Sequence, residues 1–169
     1  SSGSGSAREL GQVNNLPESP MQTLVSRVSA AVAALQRRED LNELEDAALV
    51  LRRVATSEAP ESLVALLELR AAPAIFHLVH EMTQMGTDAQ EQLSSMRHHL
   101  MVTLACLSYY EPAHAVLLKL QAVQVAELML DEGEELLNAA LGVLQNMSLH
   151  THARPDIMAS RFMEELPSL

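Results

Sequence analysis

Gly142-Val143-Leu144-Gln145-Asn146-Met147-Ser148 aligns without gaps with Val102-Thr103-Leu104-Ala105-Cys106-Leu107-Ser108, forty positions earlier, and with Leu49-Val50-Leu51-Arg52-Arg53-Val54-Ala55, fifty-three before that. Each copy closes a helical apolar pattern, with Ala or Leu at 47, 100 and 140, Leu at 51, 104 and 144, and Val, Leu or Met at 54, 107 and 147. A period near forty residues in an all-helical pattern marks an α-solenoid, because a unit of that size cannot bury its apolar face alone and must stack on its neighbours. The expected fold class is all-α: a right-handed α-solenoid of about three units preceded by one amphipathic helix.

Outward from the motif, the composition agrees. Aromatics are 2% with no Trp, and Leu, Ala, Val and Met supply most of the 48% apolar content, so the core must be built of aliphatic helix contacts. The 169 residues suffice for one core, expected over 19–169. The opening Ser1-Ser2-Gly3-Ser4-Gly5-Ser6 reads as an added linker, and the stretch to Glu18 as a poorly ordered tail. Cys106, the single cysteine, sits among Leu104, Ala105 and Leu107 as a small core residue, which fits a reducing, intracellular and cytoplasmic setting. A net charge of −11, with Arg37-Arg38 and Arg52-Arg53 the only basic doublets, argues against a nucleic-acid partner. No apolar stretch approaches the ~20 residues of a membrane span, so no membrane insertion is expected.

Helix signals punctuate the chain. Ser19-Pro20-Met21-Gln22 carries a capping-box pattern, followed at helical spacing by Met21, Leu24, Val25, Val28, Val32 and Leu35 and closed by Arg37-Arg38. Further helices are expected over Leu41 to Thr56, Pro60 to Arg70, and from Ala71 through Ile75, Leu78, Val79 and Met82 to a stop at Gly86. Thr87-Asp88 should open the next, ending at Ser108. The segment from Pro112 divides near Lys119 into a short and a longer helix, Gly133 precedes a helix through Leu149, and Pro155 opens a last one with Ile157, Met158, Phe162 and Leu166.

In this order the segments resemble armadillo repeats, over about Leu41 to Leu166. The third is the best match: Leu137 through Ser148, with its Ala-Leu pair, spaced leucines and Asn-Met-Ser ending, is similar to the second helix of that repeat. The first is degenerate, with Arg53 where the third has Asn146. Nuclear-import adaptors of the family grip basic peptides through arrayed Trp and Asn side chains, and a chain without Trp does not match them. The first and second motifs are also separated by about thirteen extra residues, expected around Met85 to Ser95. Abnormal-spindle proteins have armadillo-like repeats with long connections, which makes a cytoskeletal or centrosomal role the alternative.

The resemblance implies that third helices line a concave groove. The stripe opposite Ile75, Leu78, Val79 and Met82 is His77, His80, Glu81 and Gln84; the second unit offers Gln121, Gln124, Glu127 and Asp131, and the third Arg161, Glu164 and Glu165. These are the candidate partner-binding residues, against the plainer reading that they are solvated helix faces. Met82 and Met85, near the end of the groove helix, are candidate apolar contacts. His77 with His80, or His150 with His152, could share an ion, but no H-E-x-x-H completes a site and no metal or cofactor is expected. Neither a phosphate loop nor a G-x-S-x-G is present, and Asp131-Glu132-Gly133-Glu134-Glu135 reads as a solvated turn running into an anionic first helical turn. The expected function is a non-enzymatic adaptor for a protein or peptide partner, one with a basic segment favoured, and association through the repeats is open to it.

Overall fold

The computed structural model describes residues 16–82, 90–128, 130, 133–149, 151, 154–160 and 163, and among them all regular structure is helical. In chain order the α-helices are α1 (Pro20–Arg37), α2 (Leu41–Ala55), α3 (Pro60–Glu68), α4 (Ala71–Met82), α5 (Gln90–Ser108), α6 (His114–Lys119, entered through a 3-10 turn at Glu111–Ala113), α7 (Ala122–Leu128), α8 (Glu134–Ser148) and α9 (Arg154–Met158).

Local chemistry sets the boundaries. Ser19 Oγ accepts from the Gln22 amide at 3.2 Å while the Ser19 amide donates to Gln22 Oε1 at 2.9 Å, so both halves of the capping box start α1. Asp40 caps α2 by accepting from the Asn42 amide at 3.0 Å. Two junctions share one geometry. Arg70, between α3 and α4, has φ 62°, and Gln121, between α6 and α7, has φ 59°; their amides bond back to Leu67 and Leu118 at 3.2 and 3.1 Å. Both sit in the left-handed region without being glycine, as does Arg38 after α1 (φ 57°). Gly133, ahead of α8 with φ 108°, has the conformation only glycine adopts freely.

The helices that carry the aligned motif pack side by side. α5 lies between α2 and α8, and these two seams together with the α1–α2 hairpin are the most extensive among the described residues. Gln92 donates to Asn42 Oδ1 and Glu45 Oε2, each at 3.2 Å, near the start of α5 and α2, and Arg52 Nη1 meets His99 Nδ1 at 3.0 Å further along both, so α2 and α5 run parallel. In the other seam a Cβ on Gly142 would meet Ala105 Cβ at 3.7 Å, and Asn146 Nδ2 donates to Ser108 Oγ at 2.8 Å, so α5 and α8 run parallel too. Behind them α1 packs on α4 and α4 on α7, with α1–α2, α4–α5 and α7–α8 contacts joining the two rows. Leu35, Leu51, Leu66, Ile75, Leu78, Leu100, Leu104 and Leu107 are fully buried in the core, each stabilising the fold by ~1.5–3 kcal/mol through lost apolar exposure.

Several expectations are corrected. The thirteen extra residues do not form a connection over Met85 to Ser95, since Gln90 to Ser95 already belong to α5. Much of the added length lies in longer helices: α4 has 12 residues where α7 has 7, and α5 has 19 where α8 has 15. Met82 is buried in the core rather than offered to a partner. Leu144, unlike Leu51 and Leu104, is only half-buried, because α8 has no long helix on its far side among the described residues. Met21 and Val25 share the stripe of Val28, Val32 and Leu35 yet remain exposed. The expected linker, the Thr87-Asp88 start, Met85, His150, His152, Phe162 and Leu166 lie outside the described residues. No single described helix is long and apolar enough to cross a membrane.

Candidate functional site

Where α1 ends, the left-handed Arg38 turns its side chain back over the helix, so that Nε donates to the Leu35 carbonyl at 3.3 Å and Nη1 pairs with Glu81 on α4. This tie brings the end of α1 against α4, whose exposed side carries His77 and His80 at successive turns over buried Phe76. The α6–α7 junction closes the third side with Leu120 and Gln121. Together they form an open cleft of about 560 Å3, lined also by Gln36, Pro73 and Ala74.

Three of the residues expected to contact a partner therefore meet: His77 and His80 from the first unit and Gln121 from the second. Glu81 stands beside them, but its carboxylate is shared between Arg38 and His77, whose Nε2 lies 3.7 Å away. Gln124 is exposed on α7 outside the cleft lining, and Glu127 is half-buried rather than on a solvated face. Gln121 is the left-handed junction residue, not part of a helical stripe. Gln84, Asp131, Arg161, Glu164 and Glu165 lie outside the described residues.

Chemically the cleft offers imidazoles and amides over an apolar floor, with its carboxylate already neutralised. Such a lining suits polar and backbone groups of a peptide better than a dense positive charge. Gln36, Arg38 and Phe76 were not among the expected contacts. Arg38 reads in sequence as a favourable charge at a helix C-terminus, and only the αL turn reveals that it reaches α4.

The motif row carries its own polar groups, and they are inward-tied. Asn146, 5% exposed, donates to Ser108 Oγ; Ser108 Oγ donates to the Ala105 carbonyl at 2.6 Å, and buried His114 donates from Nε2 to the Ser108 carbonyl at 2.7 Å. Asn146 is thus spent on the α5–α8 seam rather than presented to a ligand. In the α2–α5 seam, Arg52 donates to His99 Nδ1, which places the ring hydrogen on Nε2, facing Ser95 Oγ at 3.5 Å. Burial, with the Arg52 guanidinium next in weight, holds His99 below its usual pKa, and burial pushes the Cys106 thiol up. Among the described residues no three His, Cys, Asp or Glu side chains come together to hold a metal ion. Comparisons with protein-family models, curated proteins and solved structures find no match to this chain.

Proposed function

We propose that the chain is an armadillo-type α-solenoid of about three units that works as a non-enzymatic adaptor, holding a peptide or short helix of a partner protein in the cleft between α1, α4 and the α6–α7 junction. The observation that carries the proposal is the convergence of His77 and His80 with Gln121, from two units, on one open cleft. Two further features favour the solenoid: the parallel packing of the three motif helices, and the matching left-handed junctions at Arg70 and Gln121. Because Arg38 already satisfies Glu81, the basic segment expected from sequence gains little from the described part of this stripe, and affinity here should change little with salt.

The test is affinity capture with the wild-type chain and with a Gln36→Ala/His77→Ala/His80→Ala variant, followed by hydrogen exchange on the captured complex. These are exposed positions, so the variant should melt within a degree or two of wild type. The expected result is a partner lost by the variant and protection of α4 and the α6–α7 junction. Capture unchanged by the variant, with protection elsewhere, would refute the cleft.

A further inference from the structure

The apolar stripe of α1 is longer than the surface that covers it. Full burial begins at Val28, whereas Val25 and Met21, one and two turns earlier on the same face, are 39% and 49% exposed. These turns are not a fraying end: Pro20 and both bonds of the Ser19–Gln22 capping box hold them helical, so the two side chains are presented in fixed register. Helix α3, with the Leu69 that caps its C-terminus, supplies a facing wall of Val64, Ala65 and Leu69, and the groove between them is about 360 Å3. Exposed Leu16 extends the apolar strip along an adjoining hollow that Met21 and Val25 also line.

The rim is of one sign. Glu61 and Glu68 of α3 line the groove, Glu18 lines the adjoining hollow, and among the described residues no Lys or Arg lines either. We propose that this groove is a second docking surface, separate from the α4 cleft, and that it takes a cationic amphipathic helix of a partner protein. The helix would set aliphatic side chains against Met21, Val25, Val64 and Leu69 and place Lys or Arg over the glutamates, the usual helix-in-groove arrangement. Charge selects this occupant over the others. A second copy would bring another acidic rim and another −11 of net charge, and residues 1–15 offer Leu10 and Val13 as their only large aliphatic side chains and balance Arg8 with Glu9.

The experiment titrates the full chain, at low and at physiological salt, into three fluorescein-labelled 16-residue peptides: a Leu/Lys amphipathic helix, its scrambled isomer with the same charge, and a Leu/Glu helix with the same apolar face. The expected order is clear binding of the first, binding at least tenfold weaker of the second and none of the third. Met21→Ser/Val25→Ser should weaken the Leu/Lys helix at least tenfold with the melting temperature retained, since both side chains are exposed. Glu61→Lys/Glu68→Lys should remove most of the salt dependence, while Glu111→Lys, far along the chain, leaves it intact. The cleft variant Gln36→Ala/His77→Ala/His80→Ala should bind the peptide like wild type, which keeps this surface and the α4 cleft separately testable. Equal affinity for the scrambled peptide, or indifference to Met21→Ser/Val25→Ser, overturns the proposal. So does binding that appears only after removal of residues 1–15, or a dimer dissolved by Val25→Ser, since either gives the groove to this chain itself.

Discussion

Arg70 and Gln121 occupy a backbone region where a Cβ costs roughly 1–2 kcal/mol, and neither side chain is there for conformational reasons. Replacing either with glycine should therefore stabilise the fold, by up to about 1 kcal/mol after glycine's own entropic cost, in urea denaturation. Lys119→Gly, two residues before Gln121 but in the last turn of α6, should do the opposite by about 1 kcal/mol. Asn146 offers a different test. Its bond to Ser108 is buried, so Asn146→Ala should cost ~1–3 kcal/mol, and a double-mutant cycle with Ser108→Ala should give a coupling of at least ~0.5 kcal/mol. Additivity would mean that the two side chains do not share a bond. His99 sets a pH dependence. Its native pKa lies below the unfolded 6.5, so in that interval the unfolded chain binds a proton that the native one refuses, and stability falls as pH drops below about 6.5. The groups acting on it are Arg52, Arg53 and Glu45 of α2 and its neighbour His98. His99→Gln, whose amide oxygen can still accept from Arg52, should lose less stability than wild type between pH 7.5 and 5.5.

At the scale of elements, burial grades the motif positions that look equivalent in sequence. Leu104 is 1% exposed between two neighbouring long helices, and Leu104→Ala should cost ~2–5 kcal/mol. Leu144, on the outermost motif helix, should cost clearly less, and thermal melts of the pair will rank them. Equal losses would show that α8 is covered as fully as α5. This grading also marks how far the chain was legible. The α1 capping box, the division of 112–130 near Lys119 and the three motif helices could all be read from proline, capping side chains and apolar period, which act within a few residues. The longer α4 and α5 could not, because helix length where no cap interrupts is decided by the tertiary surface that the helix covers. For the same reason Met21 and Val25 fit the buried stripe of α1 in sequence and yet lie uncovered: periodicity tells which face is apolar, not how much of it a neighbour reaches.

Across the whole molecule, the cleft was half legible. His77 and His80 could be placed on one exposed helix face from spacing alone. Their approach to Gln121 and Arg38 depends on two left-handed turns, which non-glycine residues do not announce. The two rows of helices also have a consequence under load. Neighbours in the motif row are joined in sequence through helices of the other row, so tension applied between residues 16 and 160 cannot reach the α2–α5 and α5–α8 seams simultaneously in shear. It would peel them one after another, beginning at α8, which has no long helix on its outer side among the described residues and whose hold on α5 includes the Asn146–Ser108 bond. An optical trap should then record stepwise lengthening at modest force, with the first step softened by Asn146→Ala, so that the protein yields as a graded spring rather than breaking at a single threshold.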